Sequence, residues 1–362
     1  MQQLTKENSS SQLALVLSGG GVRAMIFHLG LLRYLAEKRL LGDVSRISTV
    51  SGGSLLVGLI LQEAGMRWPD SEEFQTSIYP TLRHKLCALS LQYGAARQLL
   101  LPWNWRFILS RANLLAAALR EEWDVKSALA DLPETPEWSI NGTTAENGKR
   151  FRFKRESIGD YSLGYATPGN FPLASALAVS AAFPGAFGPL SLNTNKFLWK
   201  KRTSWGAPVE AAEVVQLGFK RLHIYDGGVY DNLGLEPFFD QGKCLSKHSN
   251  IFILVSDAGA PLTVGFDRNA LNPWRLKRVN DIMSEQARAL RVRAFMHYLQ
   301  KDRDNGAYVY IGSPASSSEL INGLQPADFP TTLRRVTENE FDLLSGHGYQ
   351  VGRSALVGLA AI

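Results

Sequence analysis

Apolar positions near the start of the chain come in short unbroken runs, and the period changes abruptly after each run. Leu13 to Leu17 (LALVL) reads as a short buried strand that ends in Ser18-Gly19-Gly20-Gly21. From Val22 to Glu37, Ile26, Leu29, Leu32 and Leu35 recur at helical spacing, which predicts an amphipathic helix. Leu41-Gly42-Asp43 turns into a β-branched run, Arg46 to Val50, that breaks at Ser51-Gly52-Gly53-Ser54 into the helical pattern of Leu55, Leu56, Leu59 and Ile60. Strand, glycine loop, helix, strand, sharp turn, helix is a βαβα unit. Its right-handed crossover implies a parallel sheet.

Residues 62–135 carry no strand pattern. Arg83 to Leu101 and Phe107 to Trp123 look helical around Pro102-Trp103-Asn104-Trp105, so this stretch reads as a helical insertion. Sheet signals return at Trp138 to Asn141 and Phe151 to Phe153, with Asn141-Gly142 and Asn147-Gly148 as turns. A small-residue helix, PLASALAVSAAF, runs from Pro172. Strands follow at Leu222 to Tyr225, closed by Asp226-Gly227-Gly228, and at Ile251 to Val255. Residues 272–301 predict a long basic amphipathic helix, and Ala355 to Ile362 a last apolar one. Residues 1–12 read as a flexible leader.

Composition adds bounds. The 362 residues are 45% hydrophobic and 20% charged, enough for a sizeable core. The polar start lacks the layout of a signal peptide, and no apolar run reaches the ~18 residues of a membrane span. Two cysteines, Cys87 and Cys244, make no disulfide framework, which fits a reducing, cytoplasmic setting. The net charge of +6 favours anionic partners such as a phospholipid surface or nucleic acid, although mild basicity is also common in proteins that bind neither.

Three glycine-bounded turns follow predicted strands: Gly19 to Arg23, Ser51 to Gly53 and Asp226 to Gly228. Ligands of open α/β sheets collect beyond the carboxyl ends of the strands, so the three turns can converge. Serine at a strand-to-helix turn has the geometry of a nucleophile elbow. Thr49 stands where G-x-S-x-G has its first glycine, and Ser54, the other frame, would lie inside the helix. Gly19-x-Gly21-x-x-Ala24 admits a dinucleotide reading with Asp43 as the ribose acid, although Asp43 precedes its strand. It equally admits an oxyanion hole, with backbone N–H groups at a helix N-terminus and Arg23 as support.

The base is less plain. His28 sits among apolar neighbours, as a core histidine would. His84, His223, His248, His297 and His347 have no convincing setting, though a triad through His223 or His347 stays open. Asp226, held at a tight strand end, is the more interesting candidate.

Together these pieces resemble the patatin-like phospholipase family. The matching residues are Gly19-Gly20-Gly21-Val22-Arg23 with His28-Leu29-Gly30, Ser51-Gly52-Gly53-Ser54, and Asp226-Gly227-Gly228. Softer matches are Asn141-Gly142-Thr143 and the stretch from Ser180 to Pro189. The resemblance implies a three-layer α/β/α fold with a mainly parallel central sheet and an inserted helical region. It implies a lipid acyl hydrolase with a Ser–Asp dyad and no catalytic histidine, metal or other cofactor. Ser51 would be the nucleophile and Asp226 the general base. Gly19, Gly20, Gly21 and Arg23 would form the oxyanion loop, with Gly52, Gly53, Gly227 and Gly228 as motif neighbours.

On this reading residues 13–270 form the catalytic domain, and 271–362 a helical and mixed extension packed on it. The substrate would be a phospholipid or other ester lipid, met through transient peripheral membrane contact, with no nucleic acid partner. Leu99 to Leu109, with Trp103 and Trp105, has the composition of an interfacial anchor. Arg275, Lys277, Arg278, Arg288, Arg291 and Arg293 of the basic helix could meet anionic headgroups. The competing reading is a lipid-binding module of the same fold without turnover, which Thr49 alone favours.

Overall fold

Five parallel strands bring their carboxyl ends to one rim of a twelve-stranded sheet. The computed structural model describes residues 12–107, 111–182, 188–204, 207–262, 264–266, 274–314 and 325–357. The parallel part consists of β1 (Gln12–Leu17), β2 (Val44–Thr49), β3 (Glu137–Thr144), β13 (Ile251–Asp257) and β14 (Gly306–Tyr310), in the order β14-β13-β1-β2-β3. Beyond β3 the sheet turns antiparallel through β4 (Arg150–Phe153), β5 (Ile158–Asp160), β6 (Gly164–Ala166), β8 (Trp199–Lys201) and β9 (Glu213–Val214). β7 (Leu190–Asn193) pairs with β10 (Arg221–Asp226), and β11 (Phe239–Asp240) with β12 (Leu245–Ser246).

Alternation along β1 sets the layers. Leu13, Leu15 and Leu17 point to the large core beneath α1 (Gly21–Glu37) and α2 (Gly52–Glu63). Ala14 and Val16 point the other way, into a smaller core with Phe295 and Tyr298 of α9 (Trp274–Lys301). The insertion is helical as expected, through α3 (Ser71–Glu73), α4 (Tyr79–Ala88), α5 (Leu91–Gln98) and α6 (Arg111–Glu122). It breaks between α4 and α5, where Ser90 is extended and its hydroxyl caps α5 by accepting from Tyr93 N–H. α7 (Leu173–Ser180) and α8 (Gly228–Asp231) are short, and α10 (Glu338–Ala355) opens with a Thr337–Glu340 capping box.

Several expectations change. α1 is not amphipathic: apart from Arg33 and Glu37 it is buried on every side, because α10 closes over the face turned from the sheet. A Cβ on Gly30 would lie 2.0 Å from the Ser345 carbonyl oxygen, so glycine is what lets the two helices touch. Asn147-Gly148 is a turn, but Asn141-Gly142 lies inside β3, where pairing with β4 and β10 overrides the turn preference. β14 extends the sheet from a stretch that showed no clear pattern. The leader before Gln12, residues 183–187 of the Ser180–Pro189 match and residues 358–362 of the apolar tail lie outside the described residues.

Candidate active site at the sheet rim

The approach of Ser51 to Asp226 follows from one long strand. β2 runs up an edge of β3 and ends with Thr49 opposite Ile140. β10 runs down the same edge and ends with Asp226 opposite Gly142. The two strands thus meet head to head along β3, and the turn leaving each falls at the junction. There the Ser51 side chain comes within reach of the Asp226 carboxyl and favours its charged form.

Ser51 stands at φ 49°, ψ −117°, a strained conformation for a residue with a side chain, costing on the order of 1–3 kcal/mol. A buried chain of donors holds it. Trp138 Nε1–H donates to Thr49 Oγ1 at 2.9 Å, Thr49 to Ser54 Oγ at 2.8 Å, and Ser54 to Ser180 Oγ at 2.8 Å. Ser180 donates to the Asn141 carbonyl at 2.8 Å and accepts the Ser51 N–H at 3.0 Å. The direction of each hydroxyl follows from the fixed donor at one end and the carbonyl at the other. Thr49 is therefore a link in this chain. It ends β2 without a positive φ, so the turn needs no glycine there.

Asp226 is buried and its carboxyl is pushed up to about 7. Burial is the cause, opposed by hydrogen bonds from Gly228 N–H and Ser51. The Gly228 N–H lies 2.7 Å from Oδ1. Thr143 Oγ1–H donates to the Asp226 carbonyl at 2.8 Å and fixes the strand end.

The glycine loop passes over the same point. A Cβ on Gly19 would lie 3.1 Å from Ser51 Cβ and 2.4 Å from Asn232 Oδ1, so only glycine fits between them. The Gly19 N–H is used by the Asn232 carbonyl at 3.1 Å, and the Val22 N–H by the Thr332 carbonyl at 2.9 Å. Gly20 (φ 145°) and Gly21 (φ 61°) begin α1, where helix N–H groups lack intrahelical acceptors. Arg23 is buried within this loop, and burial lowers it to about 10. Its guanidinium donates to the carbonyls of Ala258 (3.2 Å) and Phe329 (2.5 Å), tying the loop to the segment after β13 and to residues 329–332. Asn232, in contact with Gly19 and Gly228, is a site residue that no sequence pattern marked. Its offset of six from Asp226 is the signal that was there to use.

The remaining candidates scatter. His28 is a satisfied core histidine, between Ser256 Oγ (2.7 Å) and the Ser18 carbonyl (3.0 Å), and burial lowers it to about 4. His223 pairs with Glu146 on the surface, and His347 Nε2 donates to the Ile311 carbonyl, so neither faces Ser51. Asp43 precedes β2 at the opposite end of the strand from the glycine loop, so the dinucleotide constellation does not assemble. A cleft of about 1090 Å³ opens at the amino end of β3, lined by Trp138, Arg152, Tyr165 and Phe197, away from the site. Among the described residues no cluster of His, Cys, Asp or Glu is arranged to hold a metal ion.

Trp103 and Trp105 are exposed. The cations of α9 do not form one outward face. Arg288 reaches inward to Asp257 at 2.6 Å, and Arg291 to Asp231 at 3.4 Å. Among the described residues no helix is long and apolar enough to cross a membrane.

The family model of patatin-like phospholipases matches residues 15–239, more than half of the chain, and the chain belongs to that family. Among solved structures, human GIVD cytosolic phospholipase A2 is similar over 98% of this chain and 62% of its own, at 14% identity and a TM-score of 0.57. The same enzyme in complex with methyl gamma-linolenyl fluorophosphonate is similar over 99% and 59%, at 15% identity and a TM-score of 0.52. The chain thus spans less than two thirds of that enzyme, and at this identity the likeness is one of fold. No curated protein matches the chain by sequence.

Proposed function

We propose that this protein is a lipid acyl hydrolase that cleaves carboxylic esters through a Ser51–Asp226 dyad. The observation that carries the reading is the head-to-head meeting of β2 and β10 along β3, which brings Ser51 to the buried Asp226 carboxyl, itself pushed up to about 7 by burial. Ser51 Oγ attacks the ester carbonyl while its proton passes to Asp226. The negative charge on the tetrahedral oxygen is met by the Gly20 and Gly21 amides at the start of α1, each worth on the order of 3 kcal/mol. Collapse expels the alcohol, which takes the proton back from Asp226 and leaves the acyl group on Ser51. Water then attacks the acyl-enzyme, Asp226 accepts its proton, and the released Ser51 oxygen recovers one.

Arg23 supports the loop by fixing its backbone rather than by facing the substrate, and Gly19 supplies room. The substrate is an ester lipid presented at a membrane surface, which the exposed Trp103 and Trp105 would touch. The non-catalytic reading loses its support, because Thr49 is accommodated at the elbow. A fluorophosphonate, the reagent class bound to the human enzyme, tests the proposal directly. Covalent labelling of Ser51 and its loss in Ser51→Ala are expected. Labelling that persists in Ser51→Ala would sink the assignment.

A further inference from the structure

The helix α9 is far longer than the strand it covers. Its later half lies on the sheet, where Phe295 and Tyr298 pack against Phe239 and the β1–β13 face. Arg288 is bolted to Asp257, the last residue of β13, and Arg291 to Asp231, in the turn after Asp226. Both anchors sit at the rim that carries Ser51. Residues 274–287 therefore project beyond that rim, by about 20 Å at 1.5 Å per residue.

Nothing in residues 275–290 is buried, yet the stretch is rich in apolar side chains. Leu276 is 78% exposed, Val279 52%, Met283 67% and Leu290 55%, with Ile282 beside them. At 3.6 residues per turn they share one face, within an arc of about 120° opposite Arg288 and Phe295. No carboxylate interrupts that face. Asp281 is drawn to Lys277 and Glu285 to Arg288, both on the other side. Arg275 and Arg293 stand on the same face, on the Ile282 side of the arc, and Arg275 lies over the ring of exposed Phe266, 5.1 Å away.

We propose that the outer half of α9 is the element that docks this protein on an anionic phospholipid surface. Its apolar side chains enter the acyl boundary, while Arg275 and Arg293 lie at headgroup level. Charge complementarity selects this occupant: an apolar face that carries two arginines toward one side and no carboxylate, on a chain of net charge +6, suits anionic lipid. Bound this way, the helix sets the rim with Ser51 and Asp226 against the membrane. The inference shares with the hydrolase reading the premise of a membrane lipid, but it is tested separately.

The test compares the full chain with a Leu276→Glu/Val279→Glu/Met283→Glu variant by co-sedimentation with vesicles of phosphatidylcholine and phosphatidylglycerol. Turnover of a soluble short-chain ester is measured in parallel. Vesicle affinity is expected to fall about tenfold or more, with an unchanged melting temperature and unchanged soluble-ester turnover. The wild type should also bind pure phosphatidylcholine more weakly and release anionic vesicles as salt rises. Equal sedimentation of both proteins, or none by the wild type, overturns the proposal. So does a wild-type dimer that the variant converts to a monomer, which would assign the face to a second copy of the chain. Vesicle binding lost in the variant while the wild type hydrolyses no ester would keep the docking role and remove the hydrolase reading.

Discussion

Around Ser51 the chain buries polar groups, and along the outer half of α9 it exposes apolar ones. Ser48, Thr49, Ser54, Asn141, Ser180 and Asp226 are all buried at the elbow, where each hydroxyl or amide has a partner. Leu276 and Met283 stand in solvent with none. Both regions depart from the ordinary sorting of side chains, in opposite directions, and each departure has its own cost. At the elbow the cost of dehydration is offset by a complete set of hydrogen bonds, which makes the turn rigid. On α9 nothing offsets the exposed area within the molecule, so the compensation must come from outside.

The contrast predicts that single changes at the elbow are severe and those on outer α9 are mild. The largest effect is expected for Ser51→Ala and Asp226→Asn, each lowering ester turnover at least about a thousandfold. Full activity in Asp226→Asn would break the dyad. The same substitution should make the protein more stable. The carboxyl's affinity is raised from its ordinary value to about 7 in the fold, so the stability it contributes is present at low pH and lost as pH rises through 7. Removing that ionisation is expected to stabilise the fold above pH 7 by on the order of 3 kcal/mol, read by denaturant titration.

Ser180→Ala strands the Ser51 N–H and the Asn141 carbonyl, and should cost about 2 kcal/mol with a fall in turnover of tenfold or so. Thr49→Gly, which restores the usual elbow pattern, is expected to destabilise by about 2 kcal/mol. It leaves the Trp138 N–H without an acceptor and loosens the strand end, whereas Thr49→Ser should be nearly silent. Wild-type turnover of a soluble ester should rise with pH through about 7 as Asp226 ionises. The smallest change is expected for the stability of Leu276→Glu, within about 0.5 kcal/mol. A loss there as large as that of Thr49→Gly would erase the contrast.

The opening βαβα unit, the elbow and the Asp-Gly-Gly turn were legible because local pattern determines them: β-branched runs, glycine loops and helical spacing lie within a few residues. What local pattern cannot carry was missed. The Thr49–Ser54–Ser180 chain joins residues 126 apart, so Thr49 looked like a defect when it is a donor in a relay. The Asn141-Gly142 pair carries turn propensity, but two neighbouring strands hold it extended. α1 shows one-sided periodicity, yet α10, arriving some three hundred residues later, covers the second side. The cations of α9 read as a uniform basic face because sequence does not show that Arg288 and Arg291 find buried carboxylates.

The contact of residues 329–332 with the glycine loop has a consequence in time. Arg23 holds the Phe329 carbonyl, and Thr332 takes the Val22 N–H, so the loop is buttressed by residues made long after it. During synthesis the elbow and its aspartate are complete about a hundred residues before Thr332 joins the chain. A nascent chain halted before residue 325 is expected to label poorly with fluorophosphonate although Ser51 and Asp226 are both present. The order of synthesis thereby makes the geometry of the glycine loop wait on residues 329–332.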